Sequence, residues 1–194
     1  MNITQVKLTN GSNVYILENV LNSETLAYLH SLADSFSPDN PLWQPAGTAD
    51  SQPRWVYAVD DASFIPVRES FSSIEHTSYW QERLAVTNDK HLFCSNITFF
   101  VDLPGCAPLR PHVEGVDSWL SQVYIARESN SYNGTTVYND AKEVLFQLPY
   151  RDNMGWLFDT AGQVMHGREH RVPECLARFS IMIWYALQTK QSIS

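Results

Sequence analysis

The sequence predicts a mainly β protein, a sandwich or jelly roll with helices ahead of it, and three observations carry that prediction. From His91 onward, short β-branched and aromatic runs follow one another between turn signals: Asn96–Val101, Leu120–Ala126, Thr135–Tyr138, Glu143–Leu148, Trp156–Asp159 and Phe179–Leu187. Before His91, two segments instead space their apolar residues as helices do. No internal repeat, low-complexity tract or linker divides the chain, so its 194 residues read as one domain with a substantial core. The helical part is placed at about 1–90 and the β part at about 91–188.

Taken in order, Val14–Leu17 is a short apolar run and a strand. Asn22 or Ser23 can cap a helix over Glu24–Phe36, where Leu26, Leu29, Leu32 and Ala33 share one face; His30 within it reads as an ordinary helix-surface histidine. Ser37–Arg54 is rich in Pro, Asp, Ser and Gly and reads as a loop flanked by Trp43 and Trp55. Such a loop can be an active-site lid, or its Trp can anchor it to the core. Val67–Ala85 forms a second helix with Phe71, Ile74, Tyr79 and Leu84 roughly on one side, and His76 is part of it.

Composition excludes several classes. The net charge of −8 and the absence of a basic run disfavour a nucleic-acid partner. No apolar run approaches the roughly 20 residues that span a membrane. The N-terminus lacks the apolar core of a signal peptide, which makes the cytoplasm the expected location. The widely spaced Cys94, Cys106 and Cys175 read as free thiols rather than a disulfide framework or a zinc site.

The chemistry centres on Arg110-Pro111-His112-Val113-Glu114. Residues two apart on a strand point to the same side, so His112 and Glu114 can share one edge of a metal ion. Met165-His166-Gly167 supplies another imidazole, and Arg178-Phe179-Ser180 follows, Arg178 being twelve residues after His166. Two His and one carboxylate on one face, with open positions, suit non-haem Fe(II). Arg178 and Ser180 share a strand face. An Arg within an apolar strand requires an anion, either an Asp or Glu of the chain or a bound carboxylate. Asp117 competes with Glu114 as a ligand, but its spacing from His112 does not fit one strand face.

The ordered pattern His-x-Glu, His-Gly and Arg-x-Ser resembles the iron(II)- and 2-oxoglutarate-dependent dioxygenases, and within them the prolyl-4-hydroxylase-like branch, over roughly Asn96–Ala186. Val123-Tyr124-Ile125-Ala126 sits where such proteins carry Tyr-Leu-Asn, a Gly turn follows at Asn133-Gly134-Thr135, and Pro149-Tyr150-Arg151-Asp152-Asn153 stands where they carry a Pro-x-x-Asn approach to a strand. The resemblance implies a double-stranded β-helix (a jelly roll) with the N-terminal helices packed on one sheet. It implies Fe(II) held by His112, Glu114 and His166, and 2-oxoglutarate held by Arg178, Ser180, Tyr124 and Asn96. The implied reaction is a hydroxylation that couples decarboxylation of 2-oxoglutarate to oxidation of a substrate C–H bond by dioxygen. Family members more often have Asp where Glu114 stands, and they space the Arg about ten residues after the His. Peptidyl proline, a free amino acid, a small metabolite or a nucleobase all remain open as substrates.

Two rival readings accompany this one. A jelly roll can persist as a binding module without catalysis. Alternatively, His166-Gly167-Arg168-Glu169-His170 spells the inverted zinc-hydrolase motif, which needs both His on a helix. Gly167 and Pro173 are poor for helix, and no acidic residue follows Glu174 to complete such a site.

Overall fold

The computed structural model describes residues 1–46, 53–84, 86, 87, 89–114, 119–159 and 163–189. Its strands form two antiparallel sheets. The larger runs in the order β1 (Asn2–Lys7), β2 (Asn13–Glu18), β10 (Met154–Asp159), β7 (Trp119–Ile125), β12 (Arg178–Thr189), β5 (Lys90–Asp102), β4 (Arg54–Tyr57), β3 (Trp43–Ala46). The smaller runs β6 (Leu109–His112), β11 (His166–Arg168), β8 (Thr136–Tyr138), β9 (Val144–Gln147). Two antiparallel sheets with these crossovers are consistent with a jelly roll.

Strand alternation gives the large sheet two apolar faces. Along β12, Phe179, Ile181, Ile183 and Tyr185 join Phe99, Val101, Val123 and Leu157 in one buried cluster. Leu29 and Leu32 of α1 (Ser23–Asp34), Val67 and Phe71 of α2 (Ile65–Ser72) and Trp80 of α3 (Ile74–Arg83) belong to that same cluster. The other face of the large sheet contributes Leu120, Tyr124, Trp156 and Phe158 to a second cluster. Val137, Leu148, Val164 and Val172 complete it from the region of the small sheet.

Helix α1 starts where its cap predicts, with the Asn22 side chain accepting from the Thr25 amide at 2.8 Å. The second predicted helix is two. Ser73 leaves the helical region at φ −60°, ψ 149° and caps α3 through its hydroxyl, which accepts from the His76 amide at 3.2 Å. A serine that can satisfy a helix start competes with helix continuation, so the break has a local cause.

The region expected to be helical up to residue 90 also carries β1 to β4, which occupy both edges of the large sheet. The expected loop Ser37–Arg54 contains β3 and ends as β4 begins, and residues 47–52 lie outside the described residues. Trp43 is 2% exposed and packs edge-on against Phe36 and Tyr57, so it anchors the segment and is no part of a lid. Pro45, which made the segment look like loop, is tolerated because β3 is an edge strand. Among the described residues no helix is long and apolar enough to cross a membrane.

Candidate metal centre and its anion pocket

Strand pairing assembles the metal cluster. β6 and β11 are antiparallel neighbours, and His112 is the register partner of His166. Their ring centroids lie 4.4 Å apart. Glu114 follows just after β6 ends, so the expectation that it sits within the strand is not met, yet its carboxylate turns to the same side as His112. Glu114 Oε1 is 3.5 Å from His112 Nε2 and 3.6 Å from His166 Nε2. The three candidate ligand atoms all lie within 4.8 Å of one another. Asp117 lies outside the described residues.

The backbone sets which ring nitrogen faces the cluster. His112 Nδ1 is 2.9 Å from the Arg110 carbonyl, and His166 Nδ1 is 3.1 Å from the Val164 carbonyl. A carbonyl can only accept, so each Nδ1 carries the proton that it donates and Nε2 is the nitrogen presented to Glu114. Fixing the tautomer through the outer nitrogen is how proteins prepare imidazole for a metal. Without a metal, Nε2–H groups of His112 and His166 that donate to Glu114 hold its carboxyl down at about 2, and the facing Glu114 carboxylate holds His112 above its ordinary value; a metal would take the place of those Nε2 protons. An ionised carboxylate and two oriented imidazoles form the donor set of a divalent-metal site with positions left open.

Gly167 is required by the same pairing. A Cβ there would fall 2.5 Å from the Leu109 carbonyl oxygen, so a side chain would push β11 away from β6. His166 itself is buried against the faces of Trp156 and Phe158, at ring-centroid distances of 5.4 and 4.7 Å.

The cosubstrate residues expected from the sequence meet different fates. Arg178 is buried at the start of β12 and pairs with a carboxylate of the chain: Nη1 lies 3.1 Å from Asp102 Oδ2, and Nε donates to the Asn133 carbonyl at 2.7 Å. Ser180 lies two residues along the same strand face, fully buried, and its hydroxyl has no partner among the described residues. Both polar atoms of the Asn133 side chain are in the same condition. Tyr124 is buried with its ring 5.1 Å from the Arg178 guanidinium carbon. Its hydroxyl, expected to reach a bound carboxylate, is engaged by Thr135 instead, donating to Oγ1 at 2.8 Å and accepting from the amide at 2.7 Å. Asn96 is not brought to the site. It is exposed on β5 beside the irregularity opposite Trp184 and Tyr185, and it lines a shallow depression with Arg68 and Ser95.

The zinc-hydrolase reading is overturned. His166 to Arg168 are strand, not helix, and Glu169 and His170 are exposed, the His170 ring resting edge-on against Tyr132. Two histidines four apart on extended chain stand roughly 13 Å apart, too far to share one metal, whereas a helix would bring them within one turn.

Several residues of this cluster escaped the sequence reading. Asp102 sits at the end of β5, where register makes it the partner of both Arg178 and Arg54. Arg168 brings a further guanidinium to 3.9 Å from Asp102 while donating to the carbonyls of Ala107 and His170. Trp156 Nε1 donates to Thr135 Oγ1 at 2.8 Å, continuing the polar chain from Tyr124 towards His166. Only pairing brings these residues together, and no spacing in the sequence reports it.

No protein-family model matches the chain, and no curated protein matches it. The fold, by contrast, is that of known non-haem iron oxygenases. It is similar to a 2OG-Fe(II) oxygenase-family oxidoreductase from Burkholderia pseudomallei (TM-score 0.67, 11% identity, 89% of this chain and 84% of the other). It is also similar to a prolyl-4-hydroxylase from Pseudomonas putida (TM-score 0.63, 12% identity, 92% and 93% covered). The third comparison is the epimerase SnoN, solved with Fe3+, α-ketoglutarate and nogalamycin RO (TM-score 0.64, 10% identity, 93% and 82% covered).

Proposed function

We propose that this chain is an Fe(II)- and 2-oxoglutarate-dependent oxygenase, and that it acts as a hydroxylase. The observation that carries the reading is the convergence of His112 Nε2, Glu114 Oε1 and His166 Nε2 on one point. Fe(II) and 2-oxoglutarate together would supply the oxidising power that breaks a substrate C–H bond at the expense of dioxygen.

The remaining work falls to the side chains. His112, Glu114 and His166 would hold the metal. Glu114 would contribute the one charge among them that partly neutralises it. Arg178 offers a guanidinium for the distal carboxylate of 2-oxoglutarate, oriented by Asp102 and by the Asn133 carbonyl. The Ser180 hydroxyl and the Asn133 amide are buried polar groups without a partner among the described residues, which is costly unless something polar meets them. Both lie beside Arg178, where a carboxylate would satisfy them. Trp156, Phe158 and Tyr124 belong to one buried apolar cluster, which would help to keep water from the reaction.

The test is formation of succinate from 2-oxoglutarate by protein reconstituted with Fe(II) in air, across a panel of amino acids, peptides and small metabolites. Hydroxylated product should accumulate in step with succinate, and Glu114→Ala should produce neither. Product formed without consumption of 2-oxoglutarate would contradict the reading. A product epimerised rather than hydroxylated, the activity named for one fold neighbour, would leave the oxygenase chemistry standing and remove the hydroxylase assignment.

A further inference from the structure

Three guanidiniums surround one buried carboxylate. Asp102 is fully buried, with Oδ1 2.6 Å from Arg54 Nε and Oδ2 3.1 Å from Arg178 Nη1 and 3.9 Å from Arg168 Nη2. Among the described residues, Asp102 is the carboxylate that pairs with each of these three. One negative charge therefore faces three positive ones, in a chain whose net charge is −8. Excess buried charge of one sign is unfavourable unless an ion of the other sign completes it. This cluster of guanidiniums is thus suited to an anion.

The three cations are not equivalent. Arg168 and Arg178 are each 4% exposed, whereas Arg54 is 26% exposed. Arg168 is occupied by backbone carbonyls, and Arg178 is the deep guanidinium that the proposed function assigns to 2-oxoglutarate. Arg54 stands on the open side. Its guanidinium carbon is stacked 4.3 Å from the centre of the Phe100 ring. His112 and Glu114, the candidate metal ligands, are likewise partly exposed. One carboxylate cannot engage all five donors of a guanidinium. Register with Asp102 and the Phe100 stack hold Arg54 in place before any ligand arrives, which lowers the cost of binding.

Charge counting separates the roles. Filling Arg178 with the distal carboxylate of 2-oxoglutarate leaves one positive charge uncompensated. The metal with Glu114 and the second carboxylate of 2-oxoglutarate is already neutral. We propose that Arg54 recognises a negatively charged group, a carboxylate or a group of like charge, on the substrate to be oxidised. The proposal rests on the oxygenase reading above and names the class of its substrate as anionic.

The test is calorimetric titration of anaerobic protein loaded with Fe(II) and 2-oxoglutarate, using benzoate and its neutral isostere benzamide as probes. Wild type should bind benzoate at least tenfold more tightly than benzamide. Arg54→Gln should bind the two equally while loading 2-oxoglutarate as wild type does, and Arg54→Lys should recover part of the preference. Arg54→Gln should still fold, because Asp102 keeps Arg178 and Arg168, and its thermal unfolding checks this. Equal binding of the two probes by wild type, or a benzoate preference that survives in Arg54→Gln, overturns the proposal. A loss of 2-oxoglutarate loading in Arg54→Gln also overturns it, by assigning Arg54 to the cosubstrate. Failure of wild type to load Fe(II) and 2-oxoglutarate overturns the oxygenase reading itself, whereas loading without a benzoate preference sinks only the role of Arg54.

Discussion

His112 and His166 are register partners across β6 and β11, and each turns its Nε2 to the same carboxylate oxygen of Glu114. The metal site is therefore a product of strand pairing, and disturbing the pairing should disturb the metal. Gly167→Ala puts a methyl 2.5 Å from the Leu109 carbonyl oxygen without touching any ligand. Fe(II) affinity, measured by titration under anaerobic conditions, should fall by about tenfold or more, because a shift of the ligands by an ångström is enough to spoil the geometry. Undiminished affinity in a folded Gly167→Ala protein would show that β11 can move without carrying His166 away.

Asp102 and its cations make a second prediction. Asp102→Asn leaves the buried guanidiniums of Arg168 and Arg178 without their carboxylate. Burial opposes the charge of Asp102, and Arg54 and Arg178 outweigh that, keeping it ionised below its ordinary range. Removing one partner from such a cluster costs about 3–5 kcal/mol, which denaturant unfolding would read directly. The free protein should recover part of this loss on addition of 2-oxoglutarate, which brings a replacement carboxylate.

Arg178→Ala is the converse experiment. The proposed function makes Arg178 the clamp for the distal carboxylate of 2-oxoglutarate, and loss of a charge-assisted pair costs a few kcal/mol, or roughly 100-fold in affinity. Fe(II) binding should persist, since no ligand is altered. Unchanged 2-oxoglutarate affinity would reduce Arg178 to the partner of Asp102.

What the sequence disclosed and withheld follows from how these residues meet. His112, Glu114 and His166 were legible because two of them lie two apart and the last sits in a His-Gly pair. The repeated β runs likewise announced the sheets. Asp102, Arg54 and Arg168 carried no such signal. They lie in separate strands and meet only through the register of β4, β5 and β12 and the approach of β11. Asn96 was misplaced for the same reason: a residue on a strand pointed at by pattern alone turned out to be exposed midway along β5, at its register irregularity. β3 was missed because Pro45 and its polar neighbours look like a loop, and only its position at a sheet edge makes them compatible with a strand. His30 likewise escaped as a surface residue, although its ring lies 3.0 Å from Asp152.

Acid should weaken the protein through His76. Its ring is largely buried between helix and sheet, with Nε2 2.7 Å from the Tyr185 hydroxyl, and desolvation lowers it from 6.5 to about 4. A lowered basic group binds its proton in the unfolded chain before it does so in the folded one. Stability is therefore complete above about pH 6.5 and is lost as pH falls towards 4, by up to about 3 kcal/mol. Denaturant titrations at a series of pH values should show this slope in wild type and a flatter one in His76→Gln, which keeps a polar partner for Tyr185 but does not titrate. Parallel slopes would show that His76 is not the group responsible.

The central claim is that one metal, held by His112, Glu114 and His166, organises the site that 2-oxoglutarate enters. Anaerobic titration of 2-oxoglutarate into the protein with and without Fe(II), repeated with His166→Ala and His170→Ala, tests it most directly. The account predicts a single metal-dependent 2-oxoglutarate site in wild type, retained in His170→Ala and lost in His166→Ala. Binding of 2-oxoglutarate that ignores Fe(II), or a site that survives His166→Ala and disappears in His170→Ala, would contradict it.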